Sequence, residues 1–127
     1  MDVKKFFKIL SIEFSDLEEG IDTLINSIAE RYKEHEITEH VMLENSSLLK
    51  RELTDMLLIH KNIMELSEND YNSVDEASNS IIELILSFTG MPGAVHKYMT
   101  VRVKKVLRYM DEVCWKILFI QIKSSVD

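Results

Sequence analysis

VKKFFKILSIEFSDLEEGIDTLINSI, residues 3–28, is the stretch that decides the fold. Val3, Phe7, Leu10, Phe14, Leu17, Ile21, Leu24 and Ile28 recur at alternating steps of four and three. That is a heptad a/d pattern, which keeps one face of a long helix against a neighbour. Phe6, Ile25 and Tyr32 widen the stripe to the breadth a globular bundle needs. Two features cut across it. Ser15-Asp16-Leu17-Glu18 has the form of a capping box, and Gly20 costs about 1 kcal/mol against alanine inside a helix. The phase passes both without a slip, so the pattern predicts one helix over about 3–34, with a kink permitted between Ser15 and Gly20.

Outward from this segment, His35 to Glu44 leaves two readings open: an extension of the first helix, or a loop with a short turn. Asn45-Ser46-Ser47 offers three N-caps in a row. A second helix is expected over about 48–66, on the stripe Leu49, Leu53, Met56, His60 and Ile63. Ser67 to Asn72 reads as linker, because small polar side chains there bond their own backbone. Ser73-Val74-Asp75-Glu76 is a second capping box. It opens a third helix over about 74–89, on Val74, Ala77, Ile81, Leu84 or Ile85, and Phe88. Gly90 suits the C′ position of that helix, and Pro92 forbids its continuation. The last helix is expected over about 94–123, where Met99, Val103, Val106, Met110, Val113, Ile117 and Ile120 again hold heptad phase. Short connections favour antiparallel neighbours. The fold expected is therefore all-α: an antiparallel, four-helix-bundle-like single domain over 1–127, with two long terminal helices and two shorter central ones.

Composition agrees. Among 127 residues there are three Gly and one Pro, too few for a turn-rich β architecture. Apolar residues make up 46% and charged residues 29%, the balance of a globular chain rather than a disordered one. A net charge of −7 argues against whole-surface attraction to nucleic acid or anionic membrane. Cys114 is alone, which excludes an internal disulfide and fits a reducing compartment. Lys8 and Glu13 interrupt the apolar start that a signal peptide needs. No apolar run approaches the ~20 residues of a transmembrane helix, so the expectation is a cytoplasmic protein with no membrane partner.

Catalytic and metal motifs are missing at the expected spacings. A ferritin-like centre wants Glu three residues before each ligand histidine, but Tyr32, Ile37, Leu57 and Gly93 stand there. A hemerythrin-like pairing fails because Met64 stands four residues after His60. Glu36 and His40 are four apart, in the polar segment of open structure. Residues 70–81 lack the central glycine of a calcium loop, and apolar Ile81 falls at its last position. Gly90 and Gly93 read as punctuation, not as a phosphate loop. The serines show no recognisable base partner. No cofactor is expected, and nothing argues for an enzyme. His60, among apolar neighbours at helical spacing, is expected at the edge of the core, hydrogen-bonded across the bundle.

Two features of the last helix point to partners. Val113 to Ile122 is apolar at eight of ten positions, more than one stripe requires. Trp115, Leu118, Phe119 and Ile122 are therefore the candidate interface with a second subunit. Lys97, Arg102, Lys104, Lys105, Arg108, Lys116 and Lys123 face only Asp111 and Glu112 within the same segment. The favoured reading is internal pairing with acidic flanks such as Glu18, Asp22, Glu30 and Glu83. The alternative is a basic ridge, Arg102, Lys104, Lys105 and Arg108, for an acidic protein or nucleic acid. The function expected first is a non-catalytic protein-interaction or regulatory module, homodimeric through its last helix. A nucleic-acid-associated regulatory factor comes second, and a metal- or small-ligand-binding bundle third.

Overall fold

A helix forms where its ends are satisfied and one face can be buried, and both conditions are visible along this chain. The computed structural model describes residues 2–126; within the last helix it describes side chains through Val113 and those of Lys116 and Ile120. Four helices follow one another: α1 Val3–Lys33, α2 Glu39–Met64, α3 Val74–Ser87 and α4 Gly93–Val126. A single 3₁₀ turn, Glu68–Asp70, lies between α2 and α3. There is no strand among the described residues.

α1 is continuous through Ser15 and Gly20. The capping box inside it is unused, because a helix already gripped by core contacts on both sides of Ser15 gains nothing by restarting. It ends in a Schellman turn. The Glu36 N–H donates to the Arg31 carbonyl, the His35 N–H donates to that of Tyr32, and His35 takes the left-handed conformation at φ 62°.

The largest departure from expectation is α2. It begins at Glu39, not near residue 48, and is 26 residues long rather than a short central helix. Thr38 is its cap, with the hydroxyl accepting from the Val41 N–H. Asn45, Ser46 and Ser47 are helix interior, not caps. Ser46 is buried, a small side chain on a helix held closely against its neighbour. The core stripe of α2 is Glu52, Met56, Ile59 and Ile63. Met56 and Ile63 of the expected stripe are buried, while Glu52 and Ile59 stand in the core where Leu53 and His60 were expected, and these two sit with Leu49 at its edge.

α3 starts on its expected box. The Glu76 N–H donates to Ser73 Oγ, and the Glu76 carboxylate accepts from the Asn72 N–H. Gly90, at φ 78°, turns the chain into α4, and its carbonyl accepts from Arg51 of α2 at 2.9 Å. This ties the α3–α4 connection to the second helix.

The ion pairs give the direction of packing. Asp16 meets Arg102 and Glu13 meets Lys105, so a step back along α1 is a step forward along α4. The two helices are antiparallel. The most extensive contacts are α1 with α2, then α3 with α4 and α1 with α4. Phe6, Leu10, Phe14, Met56, Ile59, Ile63, Ile81, Ile85, Val95, Met99, Val103 and Val106 are fully buried between them. Each such side chain contributes roughly 1.5–3 kcal/mol of transfer free energy, offset by the entropy of ordering the chain.

The helices are not equally covered. After Ile21, α1 has no buried residue, and before Glu52, α2 has only Ser46 among the described residues. Ile25 and Leu49 still pack against the core; residues 26–33 and 39–48 form a two-helix arm beyond the four-helix body. At the opposite end the α1–α4 register brings Val3 opposite about residue 115, and α4 continues to Val126.

Candidate functional site

Ser11 and Glu18 stand seven residues apart on α1, two helical turns, and therefore share a face. Both lie one position after a stripe residue, on the flank that α1 turns toward α2. His60 comes from α2 between them. Its Nδ1 is 2.8 Å from Glu18 Oε2 and its Nε2 is 3.0 Å from Ser11 Oγ. The ring packs edge-on against Phe14, with centroids 5.4 Å apart. The imidazole side chain is 14% exposed and the carboxylate 12%. A carboxylate only accepts, so Nδ1 carries a hydrogen. When the ring is neutral, Nε2 is then a free acceptor for the Ser11 hydroxyl. The arrangement is a hydroxyl, a base and a carboxylate that orients the base.

His60 is thus at the core edge and bonded across helices. The expectation that no serine has a base partner is corrected, since Ser11 has one. Glu18, expected among the partners of the last helix, is committed to His60 instead.

The opposite flank of α1 faces α4. Arg102 Nη1 is 2.7 Å from Glu13 Oε2 and 3.0 Å from Asp16 Oδ2, and Lys105 Nζ is 3.4 Å from the same Glu13 oxygen. The hydrogen bond that Arg102 donates to Glu13, reinforced by the one to Asp16, raises the guanidinium above its usual value, so it stays charged. Two residues of the expected basic ridge are engaged by α1. Arg102 and Lys105 turn to α1, while Lys104 and Arg108, one turn apart, are exposed. The acidic partners of Arg102 and Lys105 are Glu13 and Asp16, not the Glu18, Asp22, Glu30 and Glu83 named from sequence.

Just beyond Arg102 the α1–α4 seam opens into a groove of about 520 Å³, lined by Asp16, Leu17, Glu19, Gly20, Ile21, Thr23, Leu24, Tyr98 and Arg102. Among the described residues no three His, Cys, Asp or Glu side chains gather into a metal-binding group, and no helix is long and apolar enough to cross a membrane. On α4, Ile120 is 62% exposed and Lys116 is exposed. The side chains of Trp115, Leu118, Phe119 and Ile122, the candidate interface, lie outside the described residues. The chain matches no protein-family model, no curated protein and no solved structure.

Proposed function

We propose that this chain is a protein-interaction or regulatory module that works as a homodimer joined through the end of α4. One observation carries the reading: α4 outruns the start of α1, and there it presents Ile120, 62% exposed, within a run that is apolar at eight of ten positions. A helical run of this apolar content carries more than one stripe can bury and calls for a partner surface. A second copy suits it by charge. Asp111 and Glu112 precede the run and Lys116 and Lys123 stand within and after it, so antiparallel pairing centred near Ile117 sets Asp111 against Lys123 of the other copy. Such a two-fold contact is self-complementary and closes at two subunits. Arg102 and Lys105 are already paired with Glu13 and Asp16, which leaves less support for nucleic acid as the partner.

Light scattering over a range of concentrations tests the proposal. The expected mass is twice the 14.8 kDa of the chain. Phe119→Glu and Ile120→Glu should each weaken the dimer at least about tenfold, 1.4 kcal/mol, while far-ultraviolet circular dichroism stays unchanged. A monomer at high micromolar concentration, or a dimer indifferent to both variants, overturns it.

A further inference from the structure

The geometry points to Ser11 as a nucleophile that His60 activates toward activated esters with an apolar acyl group. Ser11 Oγ, His60 and Glu18 stand in the order hydroxyl, base and orienting carboxylate, at 3.0 Å and 2.8 Å. Ser11 is partly exposed and the His60 side chain only 14% exposed, so an acyl donor would approach from the Ser11 side. Leu57 and Met64, one turn before and one turn after His60 on α2, are 50% and 37% exposed. They offer apolar contact to an acyl chain on either side of the base, and this selects the ligand class.

The step balances as an acyl transfer. Ser11 Oγ forms a bond to the ester carbonyl carbon as its proton passes to His60 Nε2. The bond from carbon to the leaving oxygen then breaks, and the proton held on Nε2 goes to that oxygen. The products are an ester on Ser11 and a phenol or similar acidic alcohol. Glu18 is a positioning residue that keeps the hydrogen on Nδ1 and Nε2 open.

The helix sets the limit of this chemistry. Ser11 lies inside α1, where backbone N–H groups are spent on the helix ladder and cannot receive a developing oxyanion. Poor leaving groups are therefore out of reach. Release of the acyl group by water meets the same obstacle, so the ester on Ser11 accumulates. One acylation per chain is expected, not turnover.

The test is to treat the full chain with p-nitrophenyl hexanoate and, separately, with an alkyl fluorophosphonate, then read intact mass and map the adduct. One equivalent on Ser11 is expected, with a single burst of p-nitrophenolate. Ser11→Ala abolishes the adduct. His60→Gln slows its formation about 10²-fold, the usual contribution of a general base. Glu18→Ala slows it by a smaller factor and Glu18→Gln, which keeps an oxygen in reach of Nδ1–H, restores part of the rate; a purely structural role would not separate these two. If His60→Gln fails to fold, the wild-type chain in concentrated urea takes its place and should lose the adduct. Labelling on other residues only, labelling that survives urea, or equal rates in wild type and folded His60→Gln each overturn the inference.

Discussion

Glu52 shares the core stripe of α2 with Met56, Ile59 and Ile63 and is only 7% exposed. Burial pushes its carboxyl above the ordinary value of 4.5. The folded chain then binds that proton more tightly than the unfolded chain. The resulting stability is fully present below the unfolded value and is lost as pH rises through the folded one. Above that point the fold carries a poorly solvated carboxylate. Glu52→Gln, which cannot ionise, should melt at a higher temperature than wild type at pH 7, and its advantage should shrink as the pH falls toward about 4.5. Melts of both proteins at the two pH values check this; a difference of the same size at both would refute it. Residues of this kind were hard to read from the sequence. A glutamate at helical spacing is far more often on a solvated face, and it comes to light only because the core takes Glu52 where Leu53 was expected. Ser11 and Glu18 were equally hidden. Their spacing of seven is common to every long helix, and its meaning depends on which residue of α2 lies opposite. His60 was legible, because a polar ring among Leu57, Ile59 and Ile63 had to find a partner.

At the scale of elements, α1, α3 and α4 could be read closely, because each carries an uninterrupted stripe or a cap beside a strong breaker. α2 could not. Asn45-Ser46-Ser47 satisfies every local rule for a helix start, yet Thr38 caps the helix two turns earlier and the favourable contact with α1 carries it through the polar residues. The link between α1 and α2 also shows where the chain is held against its preference. His35 sits at φ 62°, a conformation that costs a side chain with a Cβ and costs glycine almost nothing. His35→Gly should stabilise the fold by about 0.5–1 kcal/mol, after the added freedom of the unfolded chain is subtracted. Urea unfolding reads this as a higher midpoint at unchanged slope. A lower midpoint would mean that His35 contributes a contact that outweighs its strain.

For the molecule as a whole, the charge asymmetry visible in the sequence resolves into a seam. Part of the basic character of α4 is spent on Glu13 and Asp16 of α1 and fixes their antiparallel register. The direction of that pairing was legible; its partners were not, since they depend on how far α1 is offset along α4. The same offset leaves unlike ends, a two-helix arm at one and the outrunning part of α4 at the other. The arm has consequences for how the protein opens. Backbone amides in residues 26–33 and 39–48 are guarded by little more than their own helices, so brief local fraying exposes them to solvent deuterium without the body coming apart. Amides around Phe14, Met56, Ile81 and Met99 exchange only when the four-helix packing itself is lost. Native-state exchange should therefore resolve two tiers, the arm opening at a small fraction of the global free energy, and uniform protection along α1 would show that its outer half is as firmly held as its inner half.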